Sequence, residues 1–596
     1  MSISHAQAHQ AIKALSEIET KLDEYIDTTL WISDPHGAGD RFVNILKGRF
    51  GLVWQTLREA LPKTLVQEKL DYLDRIIRKE HFFESSDFSM ERQDVIASLV
   101  TVIRYKLQNI GDFERIASSI NPEIKTLMEN LLLNFRVPEI VYENELVADR
   151  IITGLAKITK QVLLGQLVVL GDVFDRGNEP DKILRILSSK AIRPFVKFVW
   201  GNHDILWMGA ALGNPSLIAE ALRISFRYDN FAFIKRLGID ISRLQRFAEK
   251  TYHEEITGYF KAKTKSAKQI EKALAMIQFK IEEKTIKRYP QLGLESRLNL
   301  DKLAAMLKAG DTEGLSDANF PTLFLDEPTK LTDEEQAVID DLAEQFTKSR
   351  QIRRLMEYLF REGRLYHVHN YILNVHALIP STADGRFEEL YGKCGKELLD
   401  TLQASIKNAG EQYLTGQPVA PFDQAVMFYL WCGPKSPFFG KHAMKTFERY
   451  FFKDKKTHEE ITLHWGENIK KKEFMDLLEQ EFGVHRVVYG HTPVDITAGQ
   501  KIASPDGRAI NIDGGFSEAY LGRGHALIQT PYSIYAIILP TEAEIAEASK
   551  KKEPAHILVE QIAEYEKPMR IKDTFTGKEL IRRRNELLQK IDEYSA

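Results

Sequence analysis

Five short polar clusters hold the residues of this 596-residue chain whose types and spacing suit chemistry. They are Asp34 and His36 in "SDPHG", Asp172, Asp175 and Arg176 in "GDVFDRG", and Asn202, His203 and Asp204 in "GNHD", followed by His376 in "NVHALIP" and His491 in "YGHTPV". The donors are carboxylate, imidazole and amide, without thiolate, a set that suits a pair of divalent ions such as Mn, Fe or Zn. Two ions need a shared ligand, and a carboxylate such as Asp172 can bridge them. Asp34, His36 and Asp172 are expected to hold one ion, and Asp172, Asn202, His376 and His491 the other.

Two cations about 3.5–4 Å apart stabilise the attacking and leaving oxygens of an in-line displacement at phosphorus, and a water between them ionises near pH 7. The expected nucleophile is therefore a metal-bridging hydroxide, and no covalent enzyme intermediate is needed. Arg176 can fork onto phosphate oxygens, which Lys matches less well. His203 is expected to protonate the leaving oxygen, and Asp204 to orient that imidazole. Each cluster taken singly reads equally well as a turn, a helix cap or a structural histidine. Five in a row, each ending an apolar run, favour the metal site.

The runs that must position these clusters are strand-like. "TTLWIS", "QLVVL" and "FVKFVW" lead into the first three clusters, while "YILNV" and "HRVVY" lead into His376 and His491. "AINID" ends similarly at Asp513, and "HALIQT" and "SIYAIIL" read as further strands. Ligands at the C-terminal ends of strands are the rule in open α/β sheets. Between the strands lie long helical stretches. In "DVIASLVTVIRYKL" the residues Val95, Ile96, Leu99, Val102, Ile103 and Leu107 share one helical face. Basic runs such as "KAKTKSAKQIEKAL" are expected on solvated helix faces. The chain thus reads as an α/β core (1–51, 151–214 and 366–545) interrupted by helical insertions (52–150 and 215–365). A C-terminal helical segment (546–596) ends it, with Leu580, Ile581, Leu587, Leu588 and Ile591 apolar, suited to packing on the body or on a second subunit.

Composition narrows the function. A net charge of -4 gives no whole-chain case for a nucleic-acid partner. Two cysteines rule out a disulfide framework or a Cys-rich zinc site. No apolar run is long enough to span a bilayer, and no signal peptide is visible, so a soluble, cytoplasmic protein is expected.

The five blocks in order closely resemble those of the calcineurin-like metallophosphoesterases, in the branch shared with the Ser/Thr phosphoprotein phosphatases. "WGNHDILWMGAALG", "YLWCGPKSPFFGK" and "NIDGGFSEAY" are similar to the class 3 fructose-1,6-bisphosphatases of Firmicutes, and the likeness runs from about Trp31 to the C-terminal helix. It implies a four-layer α/β/β/α sandwich with large helical insertions and a dinuclear centre supplied with manganese. The implied activity is hydrolysis of the 1-phosphate of fructose 1,6-bisphosphate in gluconeogenesis. The implied ligands are Asp34, His36, Asp172, Asn202, His376 and His491, while Asp175, Arg176, His203 and Asp204 match the phosphate-handling and proton-transfer positions. Small phosphorylated metabolites are the implied effectors, and a homo-oligomer is compatible with all of this. Two departures stand out. Pro35 replaces a small aliphatic residue, and no match exists to the second phosphate-binding arginine of protein phosphatases. Lys435 and Lys441 in "WCGPKSPFFGKH" are the candidates to hold the non-scissile phosphate. The missing arginine favours a small sugar substrate over the alternatives, a diadenosine polyphosphate or phosphoprotein hydrolase. A metal-holding scaffold without turnover ranks last, because it would need none of Arg176, His203 and Asp204.

Overall fold

A computed structural model describes residues 5–47, 51–84, 88–107, 116, 120–134, 137, 139–516, 522–551 and 557–595. The fold is α/β, with two mixed sheets and many helices. The first sheet has six strands: β1 (Thr29–Ser33), β2 (Gln166–Leu170), β3 (Val196–Phe198), β8 (His525–Gln529), β9 (Ser533–Ile538) and β10 (Leu558–Glu564). Their order is β10-β9-β8-β1-β2-β3. The second has four, in sequence order: β4 (Tyr366–His369), β5 (Ile372–Val375), β6 (Arg486–Tyr489) and β7 (Ala509–Asn511). Each sheet contains a parallel triplet, β1-β2-β3 and β5-β6-β7, with Trp31 opposite Val168 and Val488 opposite Ile510.

Parallel strands buried on both faces carry mostly apolar side chains, and β1 is buried throughout with Leu30, Trp31 and Ile32 at its centre. Alternate residues divide between two cores. Trp31, Val168, Leu170 and Leu527 pack against Ile372, Val488 and Ile510 of the second sheet. Leu30, Ile32, Leu167 and Val169 face the opposite way, into the helical core. Between the sheets, Trp31 Nε1 donates to Asn374 Oδ1 at 2.6 Å and fixes their relative placement.

Among the described residues, only helices lie between β1 and β2, and no strand lies between β3 and β4. The helix Arg92–Lys106 buries Val95, Ile96, Leu99, Val102 and Ile103 as its periodicity requires, packing against Glu145–Val162. The long helix Lys265–Arg288 corrects one expectation. Lys272, inside the basic run assigned to a solvated face, is fully buried, as is Lys280. Each has a buried counter-charge, Asp317 at 2.8 Å and Glu335 at 2.7 Å. The C-terminal segment contributes not only the helix Phe575–Ser595, packed on His5–Asp23, but also the edge strand β10. No helix among the described residues is long and apolar enough to cross a membrane.

Candidate active site

All six strands of the two parallel triplets release a polar loop at the same end of the molecule. β1 delivers Asp34 and His36, β2 Asp172, Asp175 and Arg176, and β3 Asn202, His203 and Asp204. β5 delivers His376, β6 His491 and β7 Asp513. Hydrogen bonds from backbone amides lock these loops together. His36 N donates to Asp172 O (3.1 Å), Gly490 N to His376 O (2.8 Å), and His491 N to Asp34 Oδ2 (3.1 Å). Ten non-glycine residues among those described have positive φ, and five of them are Asp34 (49°), His36 (44°), Asp172 (54°), Arg176 (56°) and His491 (70°). Such conformations cost about 1–3 kcal/mol each and concentrate where side chains are aimed at a ligand. Two glycines permit the close approach. A Cβ on Gly201 would stand 2.2 Å from Asp172 Oδ1, and one on Gly490 2.2 Å from Asp34 Oδ2.

Among the described residues, three groups of side chains could each hold an ion: Asp34, His36 and Asp172; Asp172, His376 and His491; and Asp172, Asp175 and His203. Within each, the donor atoms lie within 4.8 Å of one another. Asp172 belongs to all three, as a bridging carboxylate must. The histidine tautomers follow from their partners, because a carbonyl oxygen can only accept. His376 Nδ1 donates to Leu170 O (2.7 Å) and His491 Nε2 to Phe439 O (3.2 Å). In the neutral rings this leaves lone pairs on His376 Nε2 and His491 Nδ1. Both face the Asn202 amide, at 3.0 and 3.1 Å, and His376 Nε2 lies 3.5 Å from Asp172 Oδ1. Asp34 Oδ1 is buried and accepts no hydrogen bond. Converging lone pairs and a surplus carboxylate oxygen are what a divalent cation satisfies, so the donor set fits one.

Electrostatics agree. Burial, reinforced by Asp513, drives the Asp34 carboxyl well above the usual range; burial, reinforced by Asp34, does the same to Asp172. Burial also pushes His36 and His491 down to about 4, and His376 well below its ordinary value. The imidazoles are thus held neutral, the form in which they bind metals. A cation would favour the ionised carboxylates in turn.

Beside this cluster, His203 Nε2 lies 3.2 Å from Asp175 Oδ1, and its ring meets Trp431 edge-on at 5.0 Å. Burial lowers the His203 pKa, while Asp175 opposes the shift. Asp204 does not orient this ring, contrary to the sequence expectation. Its carboxylate accepts from the backbone amides of Asp172 (3.0 Å), Val173 (3.0 Å) and Gly201 (2.9 Å), and burial raises it to about 7. Asp204 thus holds the Asp172 loop, and Asp175 takes the place beside the imidazole. Arg176 Nε is 3.4 Å from Asp175 Oδ1, and its guanidinium lies over Tyr228 at 4.8 Å. Lys435 is bound to Glu388 (2.8 Å) and the Glu389 carbonyl (2.9 Å). Lys441 pairs with Glu460 (2.6 Å), and its charge reaches His491.

Three residues of the site were not among the candidates: Asp513, Trp431 and Tyr228. Asp513 is buried, Oδ2 accepts no hydrogen bond, and burial raises its carboxyl to about 7. Its place at the end of an apolar run was the available signal. Residues 517–521, part of the "NIDGGFSEAY" stretch, lie outside the described residues.

A buried set of carboxylates and imidazoles at strand ends, with an arginine and a histidine beside it, is the equipment of a hydrolase acting on phosphate esters. The chain belongs to the Firmicute fructose-1,6-bisphosphatase family, whose profile matches residues 1–596, and it is a hydrolase of that class. Its relatives include the class 3 fructose-1,6-bisphosphatase of Clostridium acetobutylicum, 30% identical over 98% of this chain and 94% of that one. The class 3 enzyme of Phocaeicola vulgatus is 31% identical over 94% and 90%, and that of Lacticaseibacillus casei 32% over 86% and 85%. No solved structure matches the chain.

Proposed function

We propose that this protein hydrolyses the 1-phosphate of fructose 1,6-bisphosphate to give fructose 6-phosphate, as a cytoplasmic enzyme of gluconeogenesis. In this reading it is built on a calcineurin-like α/β/β/α core, with 52–150 and 215–365 as insertions. The observation that carries the proposal is Asp172, common to all three candidate ligand groups among the described residues, with the lone pairs of His376 and His491 turned to one point beside it. Two divalent cations, Mn²⁺ in this reading, supply Lewis acidity and a strong nucleophile at neutral pH. Asp34, His36 and Asp172 would hold one, and Asp172, Asn202, His376 and His491 the other.

The remaining steps belong to the chain. Arg176, braced by Asp175 and Tyr228, presents its guanidinium to the phosphate oxygens. His203, whose protonated ring Asp175 favours, is the proton donor to the leaving sugar oxygen. Asp204 keeps the Asp172 loop in place through backbone amides. Trp431 covers one side of His203 and limits the water that reaches it.

The test is phosphate release by metal-stripped protein, with and without Mn²⁺, from fructose 1,6-bisphosphate, diadenosine tetraphosphate and a phosphopeptide. Mn²⁺-dependent turnover of the sugar bisphosphate alone is expected. Turnover of another member of the panel instead would overturn the substrate assignment, and cation binding without any turnover would leave a scaffold.

A further inference from the structure

We propose that Lys441 and Arg449 form an anion subsite for the second phosphate of the substrate, and that the Glu460 carboxylate occupies it in the free protein. The inference rests on the sugar-bisphosphate reading above and deepens it.

The segment carrying these residues borders the site directly. Trp431 packs on His203, and Phe439 supplies the carbonyl that fixes His491. Lys441 follows two residues later. Its Nζ lies 2.6 Å from Glu460 Oε2, and Arg449 Nη2 lies 3.2 Å from the same oxygen. The Lys445 backbone amide donates to Glu460 Oε1 at 2.9 Å. Two cations and an amide therefore surround one carboxylate, an arrangement that equally suits the oxygens of a phosphate monoester.

Exposure distinguishes donors from acceptor. Glu460 is 6% exposed, whereas Lys441 and Arg449 are 36% and 45% exposed and open to an incoming anion. Two cations against one carboxylate leave a net positive charge, since Lys445 is paired with Glu448 (2.8 Å). Arg449 is firmly based, because its helix, Thr446–Phe451, buries Phe447 and Phe451. Glu460 is more lightly held. It lies in a segment outside the helices and strands, joined to 440–442 by the isolated Lys441–Thr462 bridge through His442 N to Ile461 O and Leu463 N to Gly440 O, each 2.9 Å. The substrate phosphate can therefore take the place of Glu460 without rebuilding the core. Lys435, with its ammonium held by Glu388 and the Glu389 carbonyl, is not part of the subsite.

The experiment compares kcat/KM for fructose 1,6-bisphosphate and fructose 1-phosphate, with Mn²⁺, in wild type, Lys441→Ala, Arg449→Ala, the double variant and Glu460→Gln. The bisphosphate-to-monophosphate ratio should fall roughly 10–100-fold in the double variant, as expected for lost charge-assisted hydrogen bonds. It should rise in Glu460→Gln, which relieves the competition. If the alanine variants do not fold, Lys441→Gln keeps the packed stem and should lower the ratio in the same direction. An unchanged ratio in folded variants, or a wild type indifferent to the second phosphate, overturns the subsite while the proposed activity stands. A wild type that turns over no sugar bisphosphate fails at the first measurement, and the subsite falls with the activity.

Discussion

Charge is buried in two regions of this molecule, and it is handled in opposite ways. In the helical region around Lys265–Arg288, each buried cation meets an anion: Lys272 meets Asp317, Lys280 meets Glu335, and Arg297 meets Glu282 at 2.6 Å. At the strand ends, Asp34, Asp172 and Asp513 are gathered instead, with Asp34 Oδ1 and Asp513 Oδ2 accepting no hydrogen bond. Matched charge holds helices in register. Unmatched charge is tolerated where something else is to bind, because an uncompensated buried ion is otherwise strongly destabilising.

The largest effect expected on breaking the contrast is in rate. His203→Ala should lower turnover roughly 10²–10⁴-fold with the melting temperature little changed, measured by phosphate release and thermal unfolding. Next comes stability on the matched side. Lys280→Ala leaves Glu335 and the Thr322 carbonyl buried without their cation, and should cost about 3–5 kcal/mol in denaturant unfolding. Replacing both partners with apolar residues of similar volume should recover most of that loss.

Supplying the missing charge sharpens the contrast from the other side. Mn²⁺ at a hundred times its Kd should stabilise the protein by about 2.7 kcal/mol, and His376→Ala should abolish much of the shift in thermal melts. The most gradual effect, smallest per unit of the variable changed, is a pH slope. Burial pushes His367 down to about 4 and His369 to about 3. Between those values and 6.5 the unfolded chain binds more protons, so stability rises with pH in that window and is lost as pH falls through it. Each histidine contributes at most about 1.4 kcal/mol per pH unit. His369→Asn should flatten the slope between pH 6.5 and 4; an identical slope in the variant would exclude His369 as a contributor.

Much of this contrast is legible in the sequence where local rules decide. Apolar runs stopped by Gly, Asp and His place β1, β2, β3, β5, β6 and β7 with their polar loops. What depends on distant partners is not legible. Lys272 reads as a surface lysine because its partner, Asp317, lies 45 residues away. Asp204 follows His203 directly and looks like its partner, yet consecutive helix residues point in different directions, and Asp204 turns back to the Asp172 loop. Asp513 joins the site only because β7 pairs beside β6. The pairing of β4 with β5 is not legible either, because the two-residue turn is Asn370-Tyr371, with φ of 47° and 61°, rather than the usual Asn-Gly.

The bond from His491 N to Asp34 Oδ2 joins residues 457 apart. At typical synthesis rates of about 5–20 residues per second, the Asp34 loop waits roughly 20–90 s for its last partner to be made. Until then no emerging chain can bring together both groups of candidate ligands, and a nascent fragment should lack turnover of the phosphate ester. Pairings of such long range also form slowly once available. Recovery of activity after denaturation should therefore be the last event of refolding, later than the return of helical signal from the segments in between.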